Sequence, residues 1–411
     1  MVRSETDRLQ AVIVHEPDMG IDYISPEMAE QLLYDDIVFL PRMIEEHFAF
    51  TEGLRRLVGS ENVFEFQDLV KDILADHRVV SDLLAFMQDV EKLDASLIQS
   101  LSAFKSEDLA FTLITGLHPQ TRQSLLKPIP NLVFTRDLGC VVNDHIIVCK
   151  THMPARWRES VLTRFIVRHH PLFTDFKDKI IDFTDISHFS PDQGISLEGG
   201  DIMLVHPDFL LVGISERTTE KAFERLKNEL FERGVVKNII AVYLPEERYC
   251  MHLDTVFTCV DKETCVGFAS LVFEPHQDVE VRRFQAGDFR VILYPSLKEL
   301  MEEIYPGIQC IPCGNGQEPF ASREQWTDGC NLVAVENGVA FSYERNLHTL
   351  RSFKKAGFTV TDIRHLVNNY SDGSDYLSTN IKEIITIPSA ELSRARGGAH
   401  CMTFPISRKV N

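Results

Sequence analysis

Phe209-Leu-Leu-Val-Gly213, an apolar run of strand length, is followed by Glu216-Arg217-Thr218 at a turn and then by Lys221 to Phe231, whose apolar residues recur at helical spacing. The same order occurs twice more. Ile146-Ile-Val-Cys149 leads through a turn to Arg156 and an amphipathic stretch from Glu159 to Phe165, and Val339-Ala-Phe-Ser342 leads to Glu344-Arg345-Asn346 and Leu350 to Ala356. Arg217 lies 61 positions after Arg156 and 128 before Arg345, the latter being two steps of 64. An intervening unit is expected around Val272 to Phe284, and Leu9 to Leu57 supplies a fifth. A period this long does not suit a solenoid but does suit a ring of large αβ units. Five units of about 64 residues cover roughly 320 of the 411 positions. The surplus falls between about Met43 and Pro128. There Leu83, Leu84, Met87 and Val90, then Leu97, Leu101 and Phe104, follow a helical period, so the expectation for 43–128 is a helical insertion in the first unit.

With 44% hydrophobic and 25% charged residues, the chain has enough apolar material for one large domain or several small ones. A net charge of −19 argues against nucleic acid and anionic membranes; it suits a small cationic substrate, and equally a surface that is simply kept soluble. The polar start, Met1 to Arg8, lacks the apolar core of a signal peptide, and no stretch approaches 18 apolar residues. Nine cysteines, an odd number without a secretory signal, read as reduced thiols, so the expected location is the cytoplasm.

Four short segments carry the chemistry. In Arg394-Ala-Arg-Gly-Gly-Ala-His-Cys-Met-Thr403, two glycines bend the backbone before a strand-like Cys401 to Phe404. A cysteine behind such a loop, with arginines and His400 nearby, is expected to have a lowered pKa and to be reachable by a substrate. A small core cysteine is the plainer reading. Met251-His-Leu-Asp-Thr-Val-Phe257 alternates as a strand does, which would project His252 and Asp254 to one face and give an imidazole a carboxylate neighbour; such pairs are also often structural. Leu197-Glu-Gly-Gly-Asp201 reads either as a turn or as backbone packed closely against something. Asn131-Leu-Val-Phe-Thr-Arg-Asp137 brings an amide, a guanidinium and a carboxylate within seven residues.

Taken together and in order, these segments resemble the guanidino-group-modifying (pentein) superfamily, most closely the arginine deiminases. The resemblance starts at Leu32-Leu-Tyr-Asp-Asp-Ile37 and continues through Pro154-Ala-Arg156, Ser215-Glu-Arg-Thr-Thr219 and Gln325-Trp-Thr-Asp-Gly329 to Gly397-Gly-Ala-His-Cys-Met-Thr403. The chain departs from the family pattern at Leu138, at Trp157 (where an arginine usually follows Arg156) and at Ala399. The resemblance implies an α/β fold, a pseudo-fivefold α/β propeller with a helical-bundle insertion in its first repeat, here one catalytic domain over 1–411. It also implies hydrolysis of free L-arginine to L-citrulline and ammonia through a covalent thiouronium on Cys401. In that reading Asp137 and Asp254 clamp the guanidinium and Glu198 with His252 is the acid/base pair. Arg156 and Arg217 bind the α-carboxylate, Asn131 contacts the α-amino group and Arg396 sits on a mobile gate. No metal and no organic cofactor are expected, and the partner is the small substrate, with a homo-oligomer compatible. A related pentein enzyme is the alternative: an arginine dihydrolase giving ornithine, or another guanidine deiminase. A more distant one is a zinc-binding regulatory protein using Cys310-Ile-Pro-Cys313 with Cys330.

Overall fold

The structure, a computed structural model, describes residues 1–29, 31–34, 36–190, 194–378 and 382–409. Its strands form five separate sheets, and each sheet is built around the same ββαβ unit. Gly139–Val142 and His145–Val148 form a hairpin; the helix Trp157–His169 then crosses to Ile180–Asp182, which runs parallel to His145–Val148. Ile202–His206 and Phe209–Ile214 repeat this with the helix Glu220–Glu232 and the strand Asn238–Tyr243. Phe257–Asp261 and Thr264–Gly267 do so with Leu297–Ile304 and Gln309–Pro312. In the next unit Val339–Tyr343 pairs with Val333–Glu336 on one side and with Glu383–Ile387 on the other, and Thr359–Asp362 lies at the edge. The remaining unit joins the two ends of the chain. Phe404–Arg408 pairs antiparallel with Leu9–Val14, and the helix Leu40–Val58 leads to Val63–Glu65, parallel to Leu9–Val14.

The helices form for local reasons. Thr219 caps Glu220–Glu232 by accepting from the Ala222 amide, and Ala222, Phe223, Leu226 and Leu230 bury one stripe of it against the sheet. Burying each large apolar side chain stabilises by about 1.5–3 kcal/mol, which adds to the high helix propensity of a segment rich in Glu, Lys and Leu.

Two expectations about organisation need correction. The intervening unit does not lie at Val272 to Phe284. Its hairpin begins at Phe257, and Glu280–Gln285 is a strand added to the preceding sheet beside Asn238–Tyr243. Alternation in that strand signals β structure but not which sheet it joins. Four consecutive helices, Phe66–Ile73, His77–Glu91, Ala95–Ser102 and Ser106–Thr115, occupy a narrower span than 43–128, because Leu40–Val58 and Val63–Glu65 belong to the terminal unit. Among them, His77–Glu91 buries Val79, Val80, Leu83, Leu84, Met87 and Val90, and Lys92 in left-handed conformation ends it. No helix among the described residues is long and apolar enough to cross a membrane.

Candidate active site

In every unit, a polar residue stands two to four positions before the first strand of the hairpin: Asp137, Glu198, Asp254, Asn331 and Cys401. All five side chains are buried. The strand expected at Met251 to Phe257 is not there. His252 has extended backbone, Leu253–Thr255 is a turn of 3-10 helix, and the strand starts at Phe257. Likewise Cys401 lies in a turn and the last strand starts at Phe404. Backbone at the sheet ends bends inward, and tight turns aim these side chains better than a regular strand could.

Glycine makes the approach close enough. A Cβ on Gly199 would stand 2.0 Å from the Arg136 carbonyl oxygen, and one on Gly200 would stand 3.0 Å from both the His252 ring and Asp137 Oδ1. Glu198 therefore reaches His252, with Oε2 2.7 Å from Nε2, while its Oε1 accepts the His152 amide at 2.8 Å. His252 Nδ1 lies 3.7 Å from Asp137 Oδ1. Burial alone would lower the His252 pKa, but the carboxylates of Asp137, Glu198 and Asp201 raise it to about 10. Glu198 is pushed the other way: its burial is outweighed by the hydrogen bond and charge of His252 and by Arg156 and Arg217, so it stays ionised. The pair is an imidazolium-carboxylate at neutral pH.

Cys401 is held by Asn331. The Asn331 Nδ2 donates to Cys401 Sγ at 3.2 Å and to the Asp254 carbonyl at 3.0 Å, and its Oδ1 accepts the Cys401 amide at 3.1 Å. Asp254 Oδ2 is 3.6 Å from Sγ and 2.8 Å from His400 Nδ1, and His400 Nε2 in turn lies 3.3 Å from Glu5. The expected lowering of the Cys401 pKa is not seen. Burial, then the negative charges of Asp254, Asp137 and Asp328, push the thiol well above its usual range. The nearby arginines are engaged with other groups. Arg394 binds Asp36 and Glu391, while Arg396 donates to the Trp326 carbonyl at 2.7 Å and stacks 3.4 Å from that indole's centroid. A thiolate at this place needs a cation from outside.

The cavity between these groups, about 30 Å³, is lined by Leu33, Asn131, Asp137, Arg156, Glu198, Arg217, His252, Arg396 and Cys401. It has room for about one water, so an amino acid can enter only if its walls move. Asp137 Oδ1 and Asp254 Oδ1 are buried without a hydrogen-bond partner among the described residues. Two buried, unsatisfied carboxylate oxygens near the Cys401 thiol are a costly arrangement; a planar cation with several N–H donors that reached both would satisfy them.

The two arginines expected at the substrate's far end are placed differently. Arg156 NH1 donates to Asp137 at 2.5 Å, its Nε to Glu159 at 2.9 Å, and NH2 to the carbonyls of Asn131 and Phe134. Its head is spent among these partners. Arg217 lines the cavity with only a 3.5 Å contact to Glu216, and its buried Nε lacks a partner among the described residues. Asn131 donates to the Leu32 carbonyl at 2.6 Å. Arg345, the third arginine of the repeat, turns to Ser389 and Ser393. Asp35 of the Leu32 to Ile37 motif and residues 191–193 lie outside the described residues.

Among the described residues one group has metal-ligand spacing: Asp137, Glu198 and His252 bring a donor atom each within 4.8 Å of one another. Two carboxylates and an imidazole could ligate zinc, but the Arg156 guanidinium already brings a positive charge to Asp137 and to within 3.9 Å of Glu198. The CxxC pair does not make a finger. Cys310 meets Cys265, with sulfurs 3.6 Å apart, and Cys313 meets Thr349.

A family model described as arginine deiminase matches residues 86–408. The chain belongs to the arginine deiminase family. It is 31% identical to an arginine deiminase of Listeria monocytogenes serotype 4a, over 99% of this chain and 97% of that one. It is 30% identical to one of Bacillus thuringiensis subsp. konkukian, over 99% and 98%. Among solved structures, the product-bound N-terminal domain of ArgZ, a cyanobacterial arginine dihydrolase, superimposes with TM-score 0.54 at 15% identity, covering 98% of both chains. The amidinotransferase SxtG of Microseira wollei gives 0.54 at 13% identity, covering 100% of this chain and 97% of that one. At such identities these two attest the α/β fold alone.

Three members of the site are not singled out by the sequence motifs: Asn331, Glu5 and the orienting contact of His400. Asn331 has a signal all the same, two residues past the Gln325 to Gly329 motif and at the same offset before a strand as Asp137.

Proposed function

We propose that this chain hydrolyses free L-arginine to L-citrulline and ammonia, with Cys401 as nucleophile. The observation that carries this is the pair of buried, unsatisfied carboxylate oxygens, one on Asp137, which lines the cavity 3.7 Å from His252 Nδ1, and one on Asp254, whose other oxygen lies 3.6 Å from Cys401 Sγ. The substrate guanidinium donates to those oxygens, and its charge makes the Cys401 thiolate accessible in a site that otherwise disfavours it. Cys401 releases its proton to solvent as the guanidinium binds, since His252 is already protonated. Sulfur then attacks the guanidinium carbon, the C–N bond to a terminal nitrogen breaks, and that nitrogen departs as ammonia with a proton from His252. The resulting thiouronium is attacked by water, which returns one proton to His252 and releases the other to solvent, where ammonia takes it up; the C–S bond breaks, freeing the thiolate and the ureido product. Glu198 keeps the imidazole oriented through both transfers. Arg217 is the group left to meet the α-carboxylate, Asn131 takes the α-amino group, and Arg396 lies on the gate. No step calls for a metal or an organic cofactor.

In the same reading, residues 1–411 are one catalytic domain. The five ββαβ units are the blades of a pseudo-fivefold α/β propeller, with the helices of 66–115 inserted after the terminal unit. Nine free cysteines suit the reducing cytoplasm, and a homo-oligomer is compatible with the fold. The test is incubation with arginine, agmatine, methylated arginines and citrulline, with ammonia measured and products identified. Citrulline with one equivalent of ammonia is the expected result. Ornithine with two would make the chain a dihydrolase, and inertness toward every guanidine would overturn the reading.

A further inference from the structure

Beside the segment Ser196 to Glu198 lies a second cavity, of 140 Å³, that the reaction above does not use. Lys150, His152, Trp157, Ser190, Ile195 and Ser196 form its walls. Lys150 follows the strand His145–Val148, and its carbonyl accepts the Leu197 amide, which fixes the start of its side chain against this segment. The residue is only 4% exposed. Its ammonium stands 4.9 Å from the ring centroid of Trp157. Among the described residues that ammonium makes no hydrogen bond and no ion pair. Burial lowers its pKa to about 8 against the opposing pull of Glu198, so it still carries its charge at neutral pH. Glu198 attracts it through space but makes no ion pair with it, its carboxylate oxygens meeting the His152 amide and His252.

A buried cation without a counter-ion is costly, and an indole face compensates only part of that cost. Other donors converge on the same space. The His152 ring, with Nδ1 3.0 Å from Ser196 Oγ, has its Nε2 uncommitted among the described residues, and the Ser190 hydroxyl makes no hydrogen bond there. Trp157, which forms one wall, is also where this chain departs from its family's usual arginine.

We propose that this cavity binds a small oxyanion, of the size of phosphate, bicarbonate or acetate, held by the Lys150 ammonium over the Trp157 ring with His152 and Ser190 as further donors. The three share the chemistry the site reads, negative oxygen in a compact group, and 140 Å³ accommodates any of them. The site is independent of the guanidine chemistry. It nevertheless sits one peptide from Glu198, so an anion there would take away positive potential that the Glu198 carboxylate now feels.

The chain has two tryptophans, so Trp326→Phe leaves Trp157 as the only indole. Its fluorescence is followed while phosphate, bicarbonate or acetate replaces chloride at constant ionic strength. The expected result is a saturable change, half-complete on the order of 1–10 mM, for at least one oxyanion. The change should be lost when Lys150→Met is added and kept when Arg217→Ala is added instead, which separates this cavity from any carboxylate site at Arg217. Whichever of the three saturates at lowest concentration identifies the ligand. No saturable change up to about 50 mM with any of them, or an unaltered titration in the Lys150→Met protein, overturns the proposal. Should Lys150→Met fail to fold, amine labelling of the Trp326→Phe protein, read by mass spectrometry of the Lys150 peptide, decides the same question. The oxyanion should slow labelling several-fold, and equal rates with and without it would sink the idea.

Discussion

Arg156→Ala and Arg217→Ala should have opposite signatures, although the two residues occupy equivalent places in neighbouring repeats. Arg156 is buried between Asp137 and Glu159, and Glu159 is fully enclosed. Removing the guanidinium leaves two buried carboxylates without their cation, which costs about 3–5 kcal/mol. A chain of 411 residues has an unfolding entropy of about 2.1 cal/mol/K per residue, so each kcal/mol moves Tm by roughly 1.2 °C, and the expected loss is about 4–6 °C. Among the described residues the Arg217 guanidinium makes one ion pair, the 3.5 Å contact with Glu216, whose side chain is 35% exposed, and such a pair contributes under about 1 kcal/mol. Its replacement should leave Tm within about 1 °C. What it removes is one charge-assisted contact to the substrate carboxylate, about 1.5–3 kcal/mol. That is roughly a 10- to 150-fold fall in kcat/KM for arginine. Agmatine has no carboxylate, so its kcat/KM should change by less than about twofold. Thermal melts of both variants, with ammonia release from both substrates, read all four quantities. Should Arg156→Ala keep its Tm while losing selectivity for arginine over agmatine, the division of labour argued from these contacts is wrong. Unchanged selectivity in Arg217→Ala would be equally fatal.

Replacing Cys401 with Ala should abolish turnover while arginine still binds in calorimetry, and quenched turnover of the unmodified enzyme should show an adduct on the Cys401 peptide; a variant that turns over would exclude covalent catalysis. Asn331→Ala frees Cys401 Sγ and its amide together, so kcat should fall about 10- to 100-fold with a smaller change in KM, as loss of positioning predicts; a change confined to KM would contradict it. The His252 pKa is raised to about 10 by its carboxylates, so its contribution to stability is complete below the unfolded value near 6.5 and is lost as pH rises through 10. Urea unfolding of the native and His252→Gln proteins should therefore differ most below pH 6.5 and converge above 10, and a gap that widens with pH would reverse the assigned sign. Strong chelators should leave activity unchanged despite the ligand-like spacing of Asp137, Glu198 and His252, since Arg156 already brings charge there; stoichiometric metal whose removal stops turnover would reassign His252.

Much of the α/β architecture is legible in hydrophobic period and spacing, because a strand followed by an arginine turn and a helix recurs wherever the same packing problem recurs. What periodicity cannot show is partner choice. Glu280–Gln285 alternates as a strand should, yet the sheet it joins depends on whether its edge meets Asn238–Tyr243 or Thr264–Gly267, a tertiary matter with no local signature. The site is legible by residue type, and short motifs name most of its members, but two physical inferences from those motifs fail. His252 lines the cavity and Asp254 reaches Cys401, though by a 3-10 turn and not by strand alternation. Neighbouring arginines should activate Cys401 if adjacency in sequence meant adjacency in field, and it does not: Arg394 and Arg396 point to other partners and three aspartates dominate. The repeat itself holds the missing information. Once each hairpin is seen to carry a polar residue just before its first strand, Asn331 is the member required ahead of Val333–Glu336. Equivalent units can carry unlike side chains at equivalent places, here Asp137, Glu198, Asp254, Asn331 and Cys401, and His252 joins them from two residues ahead of Asp254 in the same unit. The groups that meet in such a fold come from short segments far apart in the chain, which is why short motifs carry most of the functional signal.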